Sequence, residues 1–282
     1  MRKYDINENF FETIDSEEKA YFLGFLYADG YINENLGMVD LTIHKQDVEI
    51  LDIFVKYLFP NGRPIKIIRN DYRRLVINSK KIVADLNRHG CFQKKTFLLE
   101  FPSTINHEFI HDFIRGYFDG DGCVTNNDGA LRISIIGAIN FLNGIKHVFN
   151  ENCNTNNTVY DDRHPERNNN IRALRYGGNI LINRIFHYMY DDSTICLNRK
   201  KNKFLDILKD MNYFCNKEFS RKSHEKYYNY DGIEYNKSDL ADILSKKTNI
   251  LSSTIRRKLY NGWTIDEIIK IPLNHRRKTI NK

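Results

Sequence analysis

Two aspartates 92 residues apart, Asp29 and Asp121, close two segments that read alike. One is Phe22-Leu-Gly-Phe-Leu-Tyr-Ala-Asp29-Gly30, the other Ile114-Arg-Gly-Tyr-Phe-Asp-Gly-Asp121-Gly122. If each run is a helix and the helices pair, the carboxylates stand side by side at helix C-termini, where the backbone already carries partial negative charge. Two carboxylates placed so repel each other. A divalent cation relieves that repulsion, and Mg²⁺ prefers carboxylate and water oxygens. Paired metal-bound carboxylates are a common device for in-line phosphodiester cleavage. A single copy would read as a core helix with an ordinary capping residue. Two copies, both keeping small residues and a terminal acid, point to a metal site, in which Gly30 and Gly122 are included beside Asp29 and Asp121.

The elements that must position these acids follow from the spacing. Gly24 and Ala28 in one segment, and Gly116 and Gly120 in the other, sit at i, i+4 and so share one helix face. Two such faces can approach closer than the usual ~8–10 Å between helix axes. Gly30 and Gly122 suit left-handed C-caps. Asp15 with Glu18 reads as a capping box for the first helix. Beyond Gly30, alternation in 31–33 and 39–44 predicts a hairpin turning at 33–37. Residues 47–58 read as a helix with an Asp47 N-cap. Strands are expected over 64–68 and 73–78 with an Asn70-Asp71 turn, then a helix over 79–88 closed by Gly90. The second half repeats the order: a hairpin of 123–126 and 130–136 turning at Asp128-Gly129, a helix over 138–149, strands over 158–160 and 171–176, and a helix over 179–190. Four antiparallel strands with helices on one face leave the other face solvated.

The paired segments resemble the motifs of the LAGLIDADG homing endonucleases, in the single-chain form with two motifs. The resemblance covers roughly residues 10–215. It implies an α+β fold of two pseudosymmetric αββαββα halves packed through the motif helices, with antiparallel sheets forming a DNA-binding saddle. It also implies that Asp29 and Asp121 bind the catalytic metal. Tyr27 and Asp119 stand where the motif's earlier acid would be, and Arg115 replaces a small or apolar residue. Phe92-Gln93-Lys94-Lys95-Thr96 is similar to a lysine-bearing segment that recurs in the family, and Asn198-Arg199-Lys200-Lys201 is its expected counterpart. Lys95 and Lys200 are thus the candidate catalytic lysines, placed to orient water and stabilise developing phosphate charge.

Charge agrees with a polyanionic partner. Net charge is +7 with pI near 9.0, and residues 217–282 hold 15 Lys+Arg against 8 Asp+Glu. The whole excess therefore lies in the tail. No apolar run reaches the ~18 residues of a membrane span. The N-terminus shows no signal core, and the five scattered cysteines read as reduced intracellular thiols. His107 and His111 are i, i+4 without a third ligand and read as surface residues.

On the solvated face, candidate DNA contacts are Lys66, Arg69, Arg73 and Arg74 in the first half, and Arg132, Arg163, Arg167, Arg172 and Arg175 in the second. A two-stranded ribbon fits the major groove, where arginine can read base edges. The domain plan is a first half over 1–103, a second over 104–212, a linker over 213–230 and a module over 231–282. That module resembles small helix-turn-helix units appended to mobile-element nucleases. Its second helix starts at Ser252 and would present Ser252, Ser253, Thr254, Arg256 and Arg257 to a groove, while Trp263 packs its small core.

The expectation is a monomeric endonuclease that cuts both strands of a long asymmetric double-stranded DNA site with Mg²⁺, with Mn²⁺ or Ca²⁺ able to replace it in binding. The resemblance implies cleavage across the minor groove with cohesive 3′ ends. Two rivals are an RNA maturase, with the host intron RNA as partner, and a DNA-binding regulator. Regulators of this fold are expected to lose an acid, and neither is lost here. No self-splicing signature is present, and no membrane partner is expected.

Overall fold

The computed structural model describes residues 4–127, 130–156, 158–161, 170–215, 228–235, 237–260 and 263–270. The chain divides into two compact units, Met1–Asn212 and Tyr213–Lys282. The first unit is built as a repeat. Its first half runs α1 (Glu17–Asp29), β1 (Gly30–Asn33), β2 (Met38–His44), α2 (Val48–Leu58), β3 (Lys66–Ile68), β4 (Tyr72–Asn78) and α3 (Lys80–Arg88). The second runs α4 (Ile110–Asp121), β5 (Gly122–Asn127), β6 (Ala130–Ala138), α5 (Ile139–Cys153), β7 (Val159–Asp161), β8 (Ile171–Gly177) and α6 (Asn179–Tyr190), followed by α7 (Asn198–Cys215).

The two antiparallel sheets have the same strand order, β1-β2-β4-β3 and β5-β6-β8-β7. They also share a register. Gly30 pairs with Leu41 and Leu41 with Leu75; in the other sheet Gly122 pairs with Ile135 and Ile135 with Leu174. Helices cover one face of each sheet, and alternate strand residues such as Val39, Leu41, Ile43, Leu75 and Ile77 are buried beneath them.

The motif helices α1 and α4 cross at their small residues. A Cβ built on Gly24 would lie 2.0 Å from the Phe113 carbonyl oxygen, and one on Gly116 2.0 Å from that of Tyr21. Backbone meets backbone there, so no side chain fits. Residues 20–27 and 112–119 are all buried, as expected for helices enclosed on every side.

Several local expectations are corrected. Gly30 and Gly122 are not left-handed caps; both are extended, at φ −74° and −81°, and run directly into β1 and β5. Glycine is needed there for space, because a Cβ would meet the Leu26 and Phe118 carbonyl oxygens at 2.6 and 2.4 Å. The N-cap of α1 is Ser16, not Asp15; Asp15 instead accepts from Thr13 and Lys19. Asp47 caps α2 in position only, since its carboxylate is taken bidentately by Arg199 at 2.7 and 2.9 Å. The β3–β4 turn places Arg69 and Asn70 at positive φ, one residue earlier than expected. Helix α7 was not anticipated at all, and the expected turn at Asp128-Gly129 lies outside the described residues.

The second unit contains the hairpin β9 (Tyr228–Tyr230) and β10 (Ile233–Tyr235), then α8 (Lys237–Thr248), α9 (Ser252–Tyr260) and α10 (Ile265–Lys270). Its core joins Leu240, Ala241, Leu244, Ile250, Ile255, Leu259, Trp263 and Ile268. The hairpin, absent from the sequence reading, turns at Asp231 and Gly232, both at positive φ. Thr264 and Glu267 form a reciprocal capping box on α10. Among the described residues no helix is long and apolar enough to cross a membrane.

Candidate active site

Helices α1 and α4 end together, and their last residues, Asp29 and Asp121, are both exposed to solvent. The surroundings are nevertheless crowded. The Asp29 carboxylate lies against Gly120, whose Cβ, if built, would sit 3.2 Å from Oδ2. Loss of hydration holds the Asp29 carboxyl up at about 6, and the nearby Asp121 charge pushes the same way. Asp121 is also raised, again by lost hydration, with partial relief from the Tyr117 hydroxyl. Two carboxylates that resist ionising together, yet remain open to solvent, form a donor set suited to a hard divalent cation. Among the described residues no group of three or more His, Cys, Asp or Glu side chains gathers as a metal cluster, so the acid pair stands alone.

Both lysines arrive at this place. Lys95 lies in a short 3-10 turn and donates from Nζ to the Gly30 carbonyl. Lys200, in the first turn of α7, donates to the carbonyls of Phe118 at 2.7 Å, Asp119 at 2.6 Å and Gly122 at 2.6 Å, and more loosely to Gly120 at 3.2 Å. These carbonyls lie at and just beyond the C-terminus of α4, where a cation is favoured; that of Phe118 also accepts the Gly122 N–H. Lys95 is 8% and Lys200 4% exposed. Burial pulls the Lys200 ammonium down to about 8, against the upward pull of Asp119, Asp29 and Asp121. Both ammonium groups in turn favour ionised Asp29 and Asp121. The carbonyls of Gly30 and Gly122, counted as metal ligands from the sequence, already accept from these ammonium groups.

A buried polar network beneath the site was missed. Arg115 is fully buried and donates to Glu17 at 2.6 Å and to the carbonyls of Met189 and Ile195. Asp119 accepts from Tyr21, Tyr190 and the Leu197 N–H. A lone arginine in the apolar run 113–118 was the one available signal.

Residues 108–188 match the model of the LAGLIDADG-like domain. The first half, outside that match, repeats the domain's strand order and register within the same molecule. Solved structures similar to the chain include the I-SmaMI LAGLIDADG homing endonuclease bound to cleaved DNA, at 13% identity over 73% of this chain and 91% of that one, with a TM-score of 0.48. The I-LtrWI LAGLIDADG homing endonuclease bound to target DNA is similar at 12% identity, over 71% and 91% of the two chains, with a TM-score of 0.47. No curated protein matches the sequence.

The open face of the second half carries Arg132, Ser134 and Ile136 from β6 and Arg175 from β8, because Ser134 pairs with Arg175. In the first half the same face carries Lys66, Arg74 and Thr42, which are aligned across three strands. Arg74 donates to Asp40 through Nε at 2.8 Å and also through Nη2. Arg73 and Arg172 were expected on this face and are not. They stand at i, i+2, i+4 spacing with the buried pairs Leu75, Ile77 and Leu174, Tyr176, so they share the helix-covered face. Arg73 there donates to the Asn70 and Tyr72 carbonyls. Arg69 sits at the hairpin tip. Arg163 and Arg167 lie outside the described residues.

In the second unit Ser252 and Thr254 are half-buried and Arg256 is exposed on α9. The side chains of Ser253 and Arg257 lie outside the described ones. Lys258 turns inward, its Nζ 4.6 Å from the centre of the Trp263 ring.

Proposed function

We propose that the protein is a site-specific DNA endonuclease that hydrolyses both strands of a long asymmetric duplex with a divalent metal, Mg²⁺ by preference. The observation that carries this reading is the meeting of four groups in one place: Asp29, Asp121, Lys95 and Lys200, an acid and a lysine from each half. The LAGLIDADG-like domain and the open sheet faces support a nucleic-acid substrate.

Asp29 and Asp121 would hold the cation, which supplies activated water and neutralises phosphate charge. The chain's own residues do the rest. The carboxylates of Asp29 and Asp121 anchor the reaction centre at the junction of the halves. The ammonium groups of Lys95 and Lys200 place fixed positive charge beside it, where the phosphate gains charge on attack. The open faces of the two sheets grip the duplex, Lys66 and Arg74 in one half and Arg132 and Arg175 in the other. Because those faces differ residue by residue, an asymmetric target fits them. The α9 helix of the second unit, with Ser252, Thr254 and Arg256, would lengthen the footprint.

The test is selection of cleaved sites from a randomised duplex library in Mg²⁺. A long, non-palindromic site, cut on both strands and untouched in EDTA, is the expected result. Recovery of bound but never cleaved duplexes would instead indicate a regulator.

A further inference from the structure

Tyr27 and Asp119 occupy equivalent places, each two residues before the terminal aspartate of its helix. Both are buried. Each binds the segment that brings in its own half's lysine. The Tyr27 hydroxyl donates to the His89 carbonyl, just ahead of the turn that leads to Lys95. That turn is pressed onto the hydroxyl: Gly90 has φ +87°, and a Cβ there would meet Tyr27 Oη at 2.3 Å. The His89 ring is fixed at both nitrogens, by the Phe11 carbonyl at 2.9 Å and Thr104 Oγ1 at 2.8 Å.

In the other half Asp119 accepts the Leu197 N–H at 2.7 Å, three residues ahead of Lys200. Its carboxylate is held by Tyr21 and Tyr190, each at 2.8 Å. Glu17 secures the same loop by accepting from the Thr194 N–H and hydroxyl, both at 2.8 Å. The chemistry of the two supports is opposite. A phenol donor meets a carbonyl in one half; a carboxylate acceptor meets an N–H in the other.

We propose that Tyr27 and Asp119 are positioning residues, each fixing the lysine of its own half against the end of the motif helix. The role of those lysines in cleavage rests on the function proposed above; their placement does not. A lysine has four rotatable bonds and loses considerable rotamer entropy when held. An anchored backbone a few residues away reduces the freedom that must be lost on each encounter with substrate.

The test is amine labelling of the DNA-free protein, read site by site by mass spectrometry. Tyr27→Phe keeps the ring on Phe113 and removes only the hydroxyl. It should speed labelling of Lys95 roughly fivefold, the factor expected for one lost buried hydrogen bond, and leave Lys200 unchanged. Asp119→Asn should do the reverse. Unchanged labelling in both variants, or equal acceleration of both lysines, overturns the proposal. Should Asp119→Asn fail to fold, Tyr27→Phe decides alone. Strand-resolved cleavage is the second readout: Tyr27→Phe should slow one strand only, with no further slowing in a Lys95→Met background. Lysine-specific labelling without any cleavage would support the positioning roles while removing the nuclease reading.

Discussion

The two halves of the first unit share a backbone plan and a register yet are supported by different side chains. Where they must touch each other or the reaction centre, they match: glycine facing backbone, a terminal aspartate, a buried lysine on the following carbonyl. Where each serves only itself, they diverge. Lys95 comes in on a single 3-10 turn, Lys200 on an 18-residue helix. The open face of the first sheet carries an Asp40–Arg74 ion pair; at the matching register the second has Ser134 and Ala173. On the proposed function, the shared part would set the chemistry and the divergent part the sequence preference.

The comparison breaks most completely at the helix crossing. Gly116→Ala and Gly24→Ala each force a methyl into a carbonyl oxygen, and each should destabilise the first unit by about 3 kcal/mol or more. Urea denaturation reads this directly. Gly62→Ala, with nothing nearby but φ +72°, should cost only about 1 kcal/mol. Similar losses at all three sites would mean the helices are not so closely packed.

Next come the lysines. Lys200→Met and Lys95→Met should each slow one strand about a hundredfold, the scale of one lost charge-stabilising donor, so that nicked plasmid accumulates. Equal slowing of both strands by either change would show that the lysines do not divide the work by half.

A smaller effect separates pH from metal. Folding holds Asp29 at about 6 against its ordinary 3.8. The folded state therefore binds that proton more tightly than the unfolded chain. The resulting stability is complete below about pH 4 and is lost as pH rises through 6. Metal-free protein should lose melting temperature across that window, and Asp29→Asn should flatten the loss. Added Mg²⁺ should raise the melting temperature above pH 6 and not at pH 4. A Mg²⁺ effect of equal size at both pH values would place the cation elsewhere.

The smallest contrast lies on the sheets. Arg74→Ala should cost about 1–3 kcal/mol of discrimination at one base pair, whereas Arg73→Ala, on the covered side, should leave target preference intact. A binding screen of single base-pair variants tests both.

Much of this was legible in the residues. Small residues at i, i+4 before a terminal acid, found twice, gave the helix pair and the carboxylates, because helix geometry is local. Lys95 and Lys200 came only through the family resemblance, since nothing in their spacing carries them to Asp29. What stayed hidden depends on distant pairing. Asp47 looked like a helix cap, but Arg199, 152 residues away, takes its carboxylate. Arg73 and Arg74 looked alike until the register set one on each face. The caps at Gly30 and Gly122 were misread because glycine answers equally to positive φ and to crowding, and only the Leu26 and Phe118 carbonyls distinguish them. The β9–β10 hairpin straddles the expected boundary between linker and module at 230/231, because its two short strands offer too few residues for a period.

The most direct measurement is cleavage of the selected site in Mg²⁺ by wild type, Asp29→Asn and Asp121→Asn, with binding measured in parallel. The paired-carboxylate account predicts linear product from wild type, a loss of at least about a hundredfold in either variant, and retained binding in both. Full cutting by Asp29→Asn or Asp121→Asn would contradict it.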